Sequence, residues 1–113
     1  PQEDWAVVGI GLNVAKTQFP PELEGLAGTL GLDPQAVEPT LGILLKRLGG
    51  WLAASSQEVL EAVRARDALR GHTVRWGRGE GQASGLDGDG RLVVLTPEGR
   101  VSLEAGEVHL VRE

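Results

Sequence analysis

The chain has 113 residues, a formal net charge of −5 at pH 7 and 41% hydrophobic residues. That length allows one domain or two small ones around a modest core. The acidic balance argues against nucleic acid as the main partner, because phosphate neutralisation needs clustered Lys and Arg. Absence of cysteine excludes disulfide scaffolds, thiolate metal sites and cysteine nucleophiles, and fits a cytoplasmic protein. Absence of methionine points to a piece cut from a longer product. No apolar run reaches membrane-spanning length, so no membrane partner is expected.

Taken in order, Trp5 to Val14 opens as an almost unbroken apolar run. Its pattern predicts a central strand buried on both faces. Gly9 and Gly11, spaced i, i+2, remove two side chains from one face, where another backbone or a flat ligand can approach. The plainer reading is a tightly packed strand without a ligand. The spacing is not the dinucleotide fingerprint, whose third glycine would fall at Val14. Asn13 stands at the strand end, where its short amide can reach a ligand. A central strand needs neighbours on both sides, so the chain is expected to open inside a domain whose other strands lie upstream.

Lys16 to Pro21 reads as a loop stopped by Pro20 and Pro21; Lys16 could meet an anion there or stand solvated. Leu23, Leu26, Ala27 and Leu30 predict a short amphipathic helix over Glu22 to Leu32, weakened by Gly25 and Gly28. A longer helix is expected from Glu38 to Ala54, with Leu41, Leu44, Leu45, Leu48, Trp51 and Leu52 on one stripe and Trp51 in the core. Ser55 and Glu58 form a capping-box pattern that starts a further helix to Arg66, with Val59, Leu60 and Val63 inward.

The texture changes at Asp67 to Gly71, where a domain boundary is expected: nine of the seventeen glycines lie beyond Arg70. Five short strands follow, His72 to Trp76, Gln82 to Leu86, Arg91 to Leu95, Arg100 to Leu103 and Glu107 to Val111. Asp87-Gly88-Asp89-Gly90 and Thr96-Pro97-Glu98-Gly99 supply turns. Asp87 and Asp89 with their alternating glycines resemble a calcium loop only superficially and read as a hairpin, His72 and His109 have no partners at metal-ligand spacing, and no serine sits in a nucleophile elbow. So many strands without helices suggest a small, partly open barrel of the SH3 kind.

Gly9-Ile10-Gly11-Leu12-Asn13-Val14 followed by Phe19-Pro20-Pro21-Glu22-Leu23 resembles the end of the catalytic domain of the biotin protein ligases. The resemblance continues with Leu69-Arg70-Gly71-His72-Thr73-Val74, then Gly81-Gln82-Ala83-Ser84-Gly85-Leu86-Asp87-Gly88-Asp89-Gly90-Arg91-Leu92-Val93-Val94, and closes on Gly106-Glu107-Val108-His109-Leu110-Val111-Arg112. It implies an α+β chain. Residues 1–66 would be a remnant of a mixed-sheet ligase catalytic domain, one central strand plus helices, and residues 67–113 an SH3-like β-barrel.

The resemblance implies an ATP-dependent ligase that forms biotinyl-AMP with magnesium and passes biotin to a lysine of the biotin carboxyl carrier protein of acetyl-CoA carboxylase. Gly9, Gly11 and Asn13 would line biotin and the adenylate. Arg112 is a nucleotide-side candidate one residue later than the family's terminal Arg, and in a strand that places it on the opposite face. The barrel would cover the nucleotide side or dock the carrier protein; a homodimer is open. No catalytic residue is expected in this piece, because the family's Gly/Arg-rich loop and lysine-bearing segment have no counterpart here. The piece alone is therefore expected to be inactive. The reading from another class is a non-enzymatic adaptor that binds a protein partner through helices and barrel.

Overall fold

The computed structural model describes residues 4–104 and 106–111. Two compact units are present, residues 1–52 and 53–113.

In the first unit the apolar run does not form the expected strand. Residues 5 to 12 pair with no strand among the described residues, and Trp5, Val7 and Val8 are 69%, 84% and 60% exposed. An apolar strand holds its place only by hydrogen bonds along both edges, and the first unit supplies none beside these residues. Pairing begins one step later. The Leu30 N–H donates to the Asn13 carbonyl (2.9 Å), the Leu32 N–H to Val14 (3.2 Å), and the Lys16 N–H to Leu32 (3.1 Å). These bonds make a single parallel bridge, Ala15 to Leu32, and leave Val14 buried.

The helix expected over Glu22 to Leu32 reduces to one 3-10 turn, Pro21–Leu23. Gly25 takes a left-handed conformation (φ 74°) just after it and Gly31 another (φ 70°), which ends helical propagation and frees Leu30 to Leu32 for the bridge. A second 3-10 turn, Pro34–Ala36, opens with the Asp33 carboxylate accepting from the Gln35 N–H at 2.9 Å. It leads into α1, Val37–Ala53, whose Pro39 lies in the first turn, where its missing N–H costs no hydrogen bond. The stripe of α1 is not a core: it has no buried residue, and Leu41, Leu45, Trp51 and Leu52 are 53%, 56%, 47% and 72% exposed. Trp51 is thus at the surface, because no element of the first unit covers that face.

The second unit is the better packed. Helix α2, Ser56–Arg64, starts on the expected capping box. The Ser55 N–H donates to Glu58 Oε2 (2.8 Å) and the Glu58 N–H to Ser55 Oγ (3.2 Å). Two N-terminal donors are satisfied at once. The strands are β1 Thr73–Trp76, β2 Gly79–Leu86, β3 Leu92–Thr96, β4 Gly99–Leu103 and β5 Val108–Leu110, in one antiparallel sheet of order β4-β3-β2-β1-β5. Together with the helices this is the expected α+β class, with the sheet open between β4 and β5.

Register explains the glycines. Trp76 opposes Gly79 across the first turn, and a Cβ on Gly79 would stand 2.9 Å from the indole. On Gly81 it would stand 2.5 Å from the Leu95 carbonyl oxygen, so only glycine fits there without moving backbone. A bulge between Ala83 and Gly85 leaves Ser84 as the extra residue and lets Gly85 take φ 119°. The core is Val74, Ala83 and Val94, with Leu69, Trp76, Leu92, Leu103 and Val108 packed against it. Val74 and Val94 are fully buried, each worth about 2 kcal/mol of transfer free energy.

Candidate functional site

Gly9 and Gly11 lie in the unpaired run. A Cβ built on either meets nothing within 4 Å, so both face open space. Asn13 lies two residues before the bridged Ala15. Its Nδ2 donates to the Gly28 carbonyl at 3.3 Å, and its own carbonyl accepts from Leu30. One amide hydrogen and Oδ1 remain for a ligand. The structure therefore brings Asn13 together with the Gly28 to Leu30 turn, a neighbour that sequence reasoning missed. Lys16 and Lys46 are both exposed. Arg112 lies outside the described residues. No group of three His, Asp or Glu among the described residues could hold a metal ion.

The second unit offers two open grooves. One lies between α2 and the β2–β3 hairpin, floored by Val59, Leu60, Val63 and Leu86. Arg64 bridges its two sides, with Nη2 and Nε donating to the Leu86 carbonyl at 2.8 and 3.3 Å. A side chain with five donors can hold one carbonyl with two of them, and this tie joins α2 to the end of β2. Sequence reasoning missed it, because partners twenty-two residues apart leave no local signal. The other groove lies beside the β1–β2 and β3–β4 turns, with Trp76, Val101 and Leu103 below and Arg78 and Glu98 among its charged lining.

The hairpin at Asp87 is held by its own carboxylate. Asp87 Oδ1 accepts from the N–H groups of Asp89 and Arg91, both at 2.9 Å, while the Asp87 N–H donates to the Arg91 carbonyl. The Arg91 N–H is the main cause holding this carboxyl below the usual carboxylate range; desolvation opposes it, and the Asp89 N–H and the charges of Arg91 and Arg64 add to it. Glu58 is likewise lowered, first by the Ser55 N–H and then by the Ser55 hydroxyl. Both carboxylates are engaged in local structure, and the Ser55 hydroxyl beside Glu58 is itself taken up in the helix cap, accepting from the Glu58 N–H. His109 faces Glu107 at 3.4 Å on the surface. This arrangement can bind and position.

Residues 61–111 match the family described as biotin protein ligase C terminal domain. The chain is similar in structure to the apo biotin protein ligase of Aquifex aeolicus, with a TM-score of 0.65 and 25% identity over 88% of this chain and 50% of that one. It is also similar to the Aquifex aeolicus ligase in complex with biotin and ATP, with a TM-score of 0.66 and 26% identity over 89% of this chain and 48% of the other. A mutant of that ligase in complex with biotin matches with a TM-score of 0.67 at 26% identity. The chain thus spans about half the length of the ligase structures it matches, at 48–50% of them. No curated protein matches it.

Proposed function

Because the chain resembles the C-terminal portion of the biotin protein ligases, we propose that it serves an ATP-dependent biotinylation reaction in the cytoplasm. The match of residues 61–111 to the ligase C-terminal domain carries this reading. The similar Aquifex ligase in complex with biotin and ATP supports those two molecules as substrates. In this reading residues 1–66 close the catalytic domain and residues 67–113 form the SH3-like barrel.

The reaction has two steps. The biotin carboxylate oxygen attacks the α-phosphorus of ATP and pyrophosphate leaves, giving biotinyl-AMP. A lysine amine of a carboxyl carrier protein then attacks the acyl carbon, an amide forms, AMP leaves and the amine gives up its proton. The mixed anhydride makes the second step easy, since AMP is a far better leaving group than oxide. Within this chain, Gly9 and Gly11 let the ligand approach the backbone. Asn13, anchored on Gly28 by one amide hydrogen, presents Oδ1 to a ribose hydroxyl or its other hydrogen to phosphate. The described residues offer no set of ligands for magnesium, so no step is assigned to the ion through them.

Titration of isotope-labelled protein with biotinyl-AMP tests the reading. Shifts confined to Gly9 through Asn13 and Gly28 are expected. Binding of a protein partner with no response to biotinyl-AMP would favour the adaptor instead.

A further inference from the structure

β4 is an edge strand. It pairs with β3 on one side and with no strand on the other among the described residues. Gly99 to Ser102 are exposed, and the strand contains none of the prolines, lysines or bulges that keep sheet edges apart. Arg100 makes no ion pair among the described residues, and Glu104 just beyond the strand is 72% exposed although it meets Arg91 at 2.8 Å.

We propose that β4 pairs antiparallel with β4 of a second copy, about a twofold axis at Ser102, joining two sheets edge to edge. Thr96 and Gly99 stand opposite each other across a two-residue turn, a position where the pair is hydrogen-bonded. Alternation from there directs the backbone groups of Arg100 and Ser102 away from β3, to the free edge. An axis at Ser102 sets Arg100 opposite the partner's Glu104 and Val101 opposite the partner's Leu103, each twice by symmetry. Opposite charges and apolar pairs both favour cross-strand contact. The neighbouring axis, at Val101, would set Glu98 against the partner's Glu104, two like charges. Charge therefore favours the register at Ser102 over that at Val101, and the isologous contact closes at a dimer. Dimerisation through β4 holds whichever reaction the protein serves.

Sedimentation velocity across a micromolar-to-millimolar concentration series reads the dimer and its expected weakening by salt. Ser102→Pro removes an N–H that faces outward, so the circular dichroism of the chain should stay the same while the dimer is lost. Arg100→Glu should raise the dimer dissociation constant about tenfold, by setting like charges opposite each other twice. Arg100→Glu combined with Glu104→Arg should restore it, and this exchange decides the matter if Ser102→Pro fails to fold. A chain that stays monomeric throughout the series, a dimer that survives Ser102→Pro, or a charge exchange that does not restore association would each overturn the proposal.

Discussion

Single residues in this chain divide by whether their surroundings can yield. Gly81 cannot be replaced cheaply: its missing Cβ would meet backbone, the Leu95 carbonyl oxygen at 2.5 Å. Gly81→Ala should destabilise the second unit by about 1–3 kcal/mol, the range for overpacking, and chemical denaturation measures it. Gly88→Ala, with nothing within 4 Å, should be nearly neutral in the same experiment. Asn13 makes the opposite case, a residue whose role would show in chemistry. Under the proposed function, Asn13→Ala in a full-length protein that contains this chain should cost adenylate formation about 1.5–3 kcal/mol, the worth of a hydrogen bond to a charged group, with melting temperature little changed. Pre-steady-state pyrophosphate release decides it, and unaltered kinetics would remove Asn13 from the site.

Asp87 yields a pH dependence whose sign follows from its bonds. Its carboxyl titrates lower in the folded hairpin than in the unfolded chain, chiefly because the Arg91 N–H binds the ionised form. The stabilisation is complete above the unfolded value of about 3.9 and is lost as pH falls through the folded one. Amide shifts of Gly88 to Arg91 should follow that transition, and Asp87→Asn should abolish it.

Among the elements, local signals were legible and burial was not. The capping box, the two turns and the alternation of β3 and β4 each depend on residues close in sequence, so α1, α2 and five strands appear within a few residues of their expected places. β2 begins at Gly79 rather than Gln82, because Gly79 and Gly81 carry no side-chain pattern, only the close approach that the register demands. The helix over Glu22 to Leu32 failed for a local reason of greater weight: Gly25 with a positive φ ends it, whatever the spacing of its leucines. Trp5 to Leu12 and the α1 stripe failed differently, since an apolar pattern says that a face seeks cover and not whether cover is at hand. For the same reason Asn13, Gly9 and Gly11 could be proposed from sequence, whereas the tie of Asn13 to Gly28 could not. The bond from Arg64 to Leu86 assigns α2 to the same unit as the sheet. A 53–113 polypeptide should therefore show more protected amides than a 67–113 polypeptide, which lacks that tie and the capped helix. Equal hydrogen-exchange protection in both would mean that α2 contributes nothing to the sheet.

At the scale of the whole molecule, the 113-residue chain is expected not to adenylate biotin. Lys16 and Lys46 are its only lysines, and both are exposed. A cation stabilises charge developing on a phosphate only when it is held in place in a water-excluded site, a contribution often worth several kcal/mol per group. Neither lysine meets that condition. Gly9 and Gly11 face open space, so a ligand at this segment would find backbone on one side and solvent on the other. The same residues that would line the ligand belong to an uncovered apolar surface, with Ile10 and Leu12 53% and 47% exposed. Contiguous apolar surface of that kind calls for a covering body, and the ligases that match are about twice as long as this chain, which covers 48–50% of them. A Cβ on Gly9 or Gly11 meets no atom within 4 Å, so the described residues set neither a cation nor cover against that face. Pyrophosphate release with biotin, ATP and magnesium measures the outcome directly. Background rates are expected from the verified 113-residue chain. Turnover above background would show that residues 1–113 hold their own phosphate-binding groups, and the assignment of Gly9, Gly11 and Asn13 as one wall of a larger site would fall.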